Sequence, residues 1–339
     1  MNNIFKIGKT LTSFTARRSN SKALILMYHS VDQKEIDPWG LFVTPKNFEE
    51  QLTKLQKHTN PVSLEEIVNG INENKIVHRS VAVTFDDGYF NNLSNAKPLL
   101  KKYNIPAAFF ITAGKIGSER EYWWDELAFL LLYPKKLPSE LCLKINNKNY
   151  CWPSNAWENV PENYNIKPWQ SKKESRLGLY YSIWKVLKSL QEHVRENLIN
   201  HISEWAGLPL NLRQSYRLLN EQELRELGNE KLFEIGSHSL SHPSLAGLKK
   251  YEQEKEIFES KEILSGIFKR PVISFAYPHG EYNSDTIKVL RAAGFKCSLT
   301  TEAKVVQSNK KNLFELPRLQ VEDLDGKSFH KELEEYFMS

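Results

Sequence analysis

Val81-Ala-Val-Thr-Phe-Asp-Asp-Gly88 is the stretch on which the fold of this chain is decided. Five uncharged residues, mostly β-branched or aromatic, run straight into two adjacent carboxylates and a glycine. The run Val81–Phe85 has the length and composition of a buried strand, and the acidic pair sits where that strand must end. Neighbouring residues of an extended strand point to opposite faces, but a turn at Gly88 can swing Asp86 and Asp87 toward one pocket. Two carboxylates that close need a cation or a proton between them. Asp-Asp-Gly is also an ordinary turn sequence, so the pair alone decides nothing.

The same pattern recurs on either side. Ala23–Tyr28 (ALILMY) runs into His29, Leu232–Ile235 leads through Gly236-Ser237 to His238, and Val272–Tyr277 runs into Pro278-His279-Gly280. Ala107–Thr112 and Cys297–Thr300 are further strand-length apolar runs. Between them lie segments of helical spacing: Pro45–His58 with Phe48, Leu52 and Leu55; Asn95–Tyr103; Tyr251–Phe268 with Ile257, Leu264 and Phe268; and Asp285–Ala293. Strands alternating with helices predict a largely parallel sheet covered by helices. In a parallel α/β barrel the carboxyl ends of the strands converge on one rim, where active sites are built. Four polar clusters at four such ends are the strongest signal in the sequence.

His238-Ser-Leu-Ser-His242 adds a second signal. Histidines at i and i+4 share one face of a helical turn and can reach one ion, while Pro243 confines the segment to a loop or single turn. Two imidazoles and one carboxylate leave open positions on zinc, as a catalytic site requires.

Thr84-Phe-Asp-Asp-Gly88 together with His238-Ser-Leu-Ser-His242 resembles the first two motifs of the polysaccharide deacetylases, the NodB-homology domain of carbohydrate esterase family four. Leu26-Met-Tyr-His-Ser-Val31 and Phe275-Ala-Tyr-Pro-His-Gly280 resemble the circularly shifted branch that includes the bacterial poly-N-acetylglucosamine deacetylases. The similarity covers roughly residues 22–114 and 215–320. It implies an α/β fold, a distorted (β/α) TIM-like barrel of the NodB-homology type, with a divalent metal, usually Zn2+, held by Asp87, His238 and His242. It implies Asp86 as general base and His29 as the acid that protonates the departing amine. Tyr277 and His279 fall at the oxyanion and substrate position, with a backbone N–H of the 277–280 turn, that of His279, meeting the oxyanion. The chain also departs from the family pattern. Ala276 stands where many members carry an arginine that orients the base, His279 stands where they carry a tyrosine, and no late Leu-x-His motif follows residue 300. Arg318, in Leu316-Pro-Arg-Leu319, is the candidate for the missing cation. His330 reads as solvated, and Asp125 as a surface carboxylate at a helix start.

The remainder of the chain bounds these readings. Its 339 residues suit one large domain with an insertion. The domains expected are a loose lead-in over 1–21 with an amphipathic turn from Ile4 to Phe14, a barrel over 22–114 and 215–335, and a mostly helical, Trp-rich insertion over 115–214 that would cover the substrate. Seven of the eight tryptophans (Trp123, Trp124, Trp152, Trp157, Trp169, Trp184 and Trp205) lie there, either as core filler or as rings that stack on sugar faces. A net charge of +5 with scattered lysine pairs describes a solvated surface and argues against a nucleic-acid partner. No apolar run is long enough to span a bilayer, and the first residues lack an export signal, so a cytoplasmic location is expected, with peripheral contact at the inner membrane face left open. Three cysteines without CxxC spacing read as reduced thiols. The activity expected is removal of an acetyl group from an N-acetylated sugar of a glycan or lipid-linked glycan intermediate. The alternatives are a non-catalytic glycan-binding protein on the same barrel, or hydrolysis of another small amide or an O-acetyl ester. A two-metal phosphoesterase would want more carboxylates than these motifs supply.

Overall fold

Short, uninterrupted apolar runs fold as strands that are covered on both faces, and six of them build the centre of this protein. The computed structural model describes residues 21–33, 36–145, 147–153, 166–308 and 312–338. Its principal strands are β1 (Lys22–Tyr28), β2 (Ser80–Phe85), β3 (Ala107–Ile111), β4 (Phe233–Ser237), β5 (Ser274–Ala276) and β6 (Cys297–Leu299). They lie in the order β6-β5-β4-β3-β2-β1, each pair parallel. Residues 316–320 then join the two edges. Leu316 bridges Leu299 of β6, and β7 (Leu319–Gln320) pairs in parallel with Leu26 and Met27 of β1. The sheet is thereby curled into the distorted barrel the sequence predicts, with all its principal strands ending on one rim.

Helices cover the outside. Pro45–His58 starts at Thr44, whose side chain accepts from the Asn47 amide, and buries Phe48, Leu52 and Leu55. Lys250–Phe268 buries Ile257 and Leu264. The helix expected over Asn95–Tyr103 is split into a wide π-type turn, Asn92–Ala96, and a short α-helix, Lys97–Lys102. Pro98 has no N–H to donate to the preceding turn, which accounts for the irregularity. The strand expected over Val272–Tyr277 shrinks to Ser274–Ala276 between Pro271 and Pro278.

Residues 115–214 contribute most of a second core, in which Leu127, Leu131, Tyr180, Ile183, Ile199 and Ile202 meet Ile36, Tyr89 and Leu218. The helices of this insertion are Trp123–Leu132, Arg176–Lys188 and Glu192–Ala206. The segment is mostly helical as expected, and a β-hairpin of Glu140–Ile145 and Lys148–Pro153 accompanies the helices. Along Glu140–Ile145 the residues alternate out and in, with Leu141, Leu143 and Ile145 buried. The expectation of reduced thiols is corrected. Cys142 and Cys151 face each other across the hairpin and form a disulfide, their Cα atoms 4.1 Å apart. Spacing along the chain concealed this pair, because only the hairpin register brings them opposite. Cys297 is free and buried. His330 is likewise not simply solvated, since its ring stacks on His58 at 4.1 Å. The lead-in turn from Ile4 to Phe14 and Trp157 lie outside the described residues.

Candidate active site

The site grows from the end of β2. Asp87 and Gly88 both take left-handed backbone conformations, φ +74° and +81°, and the Gly88 amide donates back to the Asp86 carbonyl at 2.9 Å. Two consecutive residues of this kind turn the chain so sharply that adjacent carboxylates enter one cleft. Asp86 and Asp87 are 2% and 3% exposed.

Their surroundings differ completely. Asp86 is gripped by Arg318, whose Nη1 and Nη2 donate to its Oδ1 and Oδ2 at 2.7 Å each. Arg318 is itself fully buried and donates through Nε to the Thr300 carbonyl and through Nη1 to Thr84 Oγ1. Burial alone would raise the Asp86 carboxyl, but Arg318 and His238 outweigh it and hold the group far below the usual carboxylate range. Asp87 Oδ1 has no hydrogen-bond partner. It lies 3.5 Å from His238 Nε2 and 3.4 Å from His242 Nε2. Burial raises the Asp87 carboxyl, with Asp86 adding to the effect and His29 and His238 opposing it.

His238 follows β4, and its Nδ1 lies 2.8 Å from the Ala276 carbonyl at the end of β5. That oxygen only accepts, so Nδ1 carries the proton and Nε2 turns a lone pair toward Asp87. His242 reaches the same spot without a helical turn. Ser239 and His242 have φ +65° and +59°, which curls the loop upon itself. Glu256 pins the loop, accepting from the Leu240 and Ser241 amides at 2.9 and 2.8 Å. The His242 ring packs on Trp124 at 4.7 Å and on His279 at 4.6 Å. Burial, and then the charge of Arg195, lower its pKa to about 3.

Three electron-pair donors thus face one another in a buried site, with ligand atoms all within 4.8 Å. At 3.4 to 3.5 Å the contacts are too long for good hydrogen bonds, and His238 has no Nε2 proton to offer. An orphaned carboxylate oxygen between two imidazole nitrogens fits a divalent cation, and the Asp-His-His donor set suits zinc with positions left open.

His29 stands at the end of β1 on the same cleft, its Nδ1 buried without a partner. Burial lowers its pKa, against the pull of Asp87 and Asp86. His279 sits in the turn after β5 with φ +57°, and its Nε2 is also without a partner. Burial pushes its pKa well below the usual histidine value, helped by His242 and Lys188. The turn requires Gly280, where an added Cβ would meet Thr301 Oγ1 at 2.0 Å. Tyr277 departs from a role as a side-chain donor to substrate. Its ring lines the cleft, but its hydroxyl donates to the Phe314 carbonyl and accepts from Ser298 Oγ, both behind the floor. Asp125 is corrected from a surface carboxylate to a buried one that accepts from the Tyr89 hydroxyl at 2.6 Å.

The cleft over this floor measures about 240 Å³, and Trp39, Trp124, Trp169 and Trp184 are among the residues that line it. The sequence reading missed Trp39, which is remote from the insertion in the chain, and Glu256, which is one more glutamate on a polar helix. Only a Glu sixteen residues after Leu240 on a packed helix marked the latter, and that spacing is no motif.

The polysaccharide deacetylase family model matches residues 73–136 and 182–298, together more than half of the chain. The poly-beta-1,6-N-acetyl-D-glucosamine N-deacetylase of Staphylococcus aureus (strain MRSA252) is 23% identical over 318 residues, covering 89% of this chain and 80% of that protein. Among solved structures, IcaB from Ammonifex degensii superposes with a TM-score of 0.59 at 16% identity, over 95% of this chain and 99% of the other. The Streptococcus pyogenes deacetylase PplD, solved in complex with acetate, superposes at 0.56 and 18% identity, over 94% and 99%.

Proposed function

We propose that this chain, which belongs to the polysaccharide deacetylase family and is a carbohydrate N-deacetylase, hydrolyses the acetamide of an N-acetylated sugar within a glycan, using a divalent cation held by Asp87, His238 and His242. The observation that carries the reading is the division of labour between neighbours: Asp86 clamped by Arg318, and Asp87 Oδ1 set between two histidine nitrogens with no hydrogen-bond partner. When bound, such a cation supplies Lewis-acid charge that polarises the amide carbonyl and makes water a better nucleophile at neutral pH.

The chain's own residues account for the proton traffic. Asp86, kept ionised by Arg318, takes a proton from the attacking water as the new C–O bond forms. The His279 backbone N–H, at the mouth of a left-handed turn, meets the charge that develops on the carbonyl oxygen. His29, at the end of β1 on the same cleft, gives a proton to the sugar nitrogen as the C–N bond breaks. The products are acetate and a free amino sugar, and atoms and charge balance with one water consumed.

The S. aureus relative supports an N-acetylglucosamine polymer as the substrate class. Among the described residues no helix is long and apolar enough to cross a membrane. The Cys142–Cys151 bridge weighs against the reducing cytoplasm as the working compartment. The test is acetate release from a panel of monomeric, nucleotide-linked, lipid-linked and polymeric N-acetyl sugars, with and without chelator. Metal-restored release from the polymer supports the reading; metal-independent binding with no acetate from any substrate contradicts it.

A further inference from the structure

We infer that the insertion holds a binding site for one monovalent anion of chloride size, behind the His238–His242 loop and separate from the catalytic cleft. Its centre is Arg195, on the helix Glu192–Ala206. This side chain is buried, the residue being 2% exposed, and its Nε and Nη1 have no hydrogen-bond partner. Trp123 lies against it, with the guanidinium carbon 5.5 Å from the centre of the indole, and Trp123 Nε1 is also buried without a partner. Both residues line one cavity of about 20 Å³, together with Lys115, Arg120, Tyr122 and Ser241.

The chemistry of the orphaned atoms selects the ligand. Indole and guanidinium nitrogens donate and never accept, so three N–H groups on the residues lining this cavity lack an acceptor. A buried donor left unmade is costly, and a buried charge without a counter-ion is more so. The neighbouring carboxylates are committed elsewhere. Lys115 pairs with Glu192 and lies 3.8 Å from Glu196, Arg120 bonds both oxygens of Glu126, and Arg213 bonds both oxygens of Glu121. Glu256 accepts from the Leu240 and Ser241 amides. Burial lowers the pKa of Arg195 although Glu192, Glu256 and Glu196 oppose it, so these groups leave part of its charge uncompensated. A water would accept from the donors without supplying charge. The volume takes about one particle of water size, which admits a halide and excludes phosphate, sulfate and carboxylates.

The cavity shares its lining with the floor of the cleft. Ser241 precedes the ligand residue His242 in the chain. Tyr122 donates through its hydroxyl to the Asp87 backbone carbonyl at 2.8 Å, and its ring lies 5.9 Å from that of His242. An anion on Arg195 thus braces, from the side of the insertion, the segment that carries His242.

The experiment uses the full zinc-loaded chain. Crystals grown without chloride are soaked in sodium bromide and measured for anomalous scattering, and melting is followed as chloride replaces gluconate at constant ionic strength. The expected result is a bromide peak at hydrogen-bond distance from Arg195 Nε or Nη1, with a saturable rise in Tm of a few degrees. Arg195→Met should lose both the peak and the chloride dependence. If that variant does not fold, Trp123→Phe decides: removing one donor should raise the half-saturating chloride concentration about three- to ten-fold. An unchanged half-saturation there overturns the inference. So does bromide found only beside His238 and His242, or an ordered water at Arg195 that bromide leaves in place. A peak at Arg195 with a Tm indifferent to chloride marks an adventitious ion only, and also overturns it. None of these readouts uses acetate release, so failure of the deacetylase reading would leave the test intact.

Discussion

The floor of the cleft and its aromatic lining solve different problems with different physics. The floor is made of charge placed to a fraction of an ångström: Arg318 on Asp86 at 2.7 Å twice, and two imidazoles around Asp87. The lining is made of area, with ring centroids 4.5 to 6 Å apart. Buried charge is strong and unforgiving, because removing one partner strands the other without solvent. Aromatic surface is additive and tolerant. The floor should therefore set whether the reaction happens, and the lining should set which substrate it happens to.

The largest effects belong to the floor. His238→Ala or His242→Ala should abolish metal-restored acetate release, measured after chelation and zinc repletion, while the fold survives by circular dichroism. Asp86→Asn should lower kcat by about a hundred- to ten-thousand-fold, the range of a general base. Near wild-type turnover in that variant would remove Asp86 from its role. Arg318→Lys is milder in charge but not in geometry, since an ammonium cannot reproduce the two parallel bonds. Burial raises the Asp86 carboxyl and Arg318 lowers it. Weakening the cation therefore lets the pKa rise, and the acid limb of the kcat/KM profile should move to higher pH. An unmoved limb would mean that Arg318 does not govern Asp86. The disulfide lies in the hairpin, away from the floor. Cys142→Ser should leave kcat intact and cost about 2 kcal/mol of stability, read as a drop in Tm of a few degrees. A loss of activity at unchanged Tm would tie the hairpin to the cleft.

The barrel was legible because parallel strands are buried on both faces and so appear as unbroken apolar runs such as Leu24–Tyr28 and Val81–Phe85. The polar residues that end those runs mark the rim, which is why His29, Asp86, Asp87, His238 and His279 were all nameable beforehand and all line one cleft. What escaped depended on partners distant in sequence. Cys142 and Cys151 needed a hairpin register. Asp125 sits at a helix start that suggests exposure, and its burial against the Tyr89 hydroxyl depends on a residue 36 positions earlier. Glu256 acts on a loop that its own helix gives no hint of. Trp39 meets Trp184 only in three dimensions, so that contact could not be read along the chain.

The central claim is that two adjacent carboxylates have separate duties, and metal content tests it most directly. Asp86→Asn and Asp87→Asn, purified in parallel and equilibrated with equimolar zinc, should differ: one ion retained per chain in the first, essentially none in the second. Equal retention in both, or loss from both, would contradict the account.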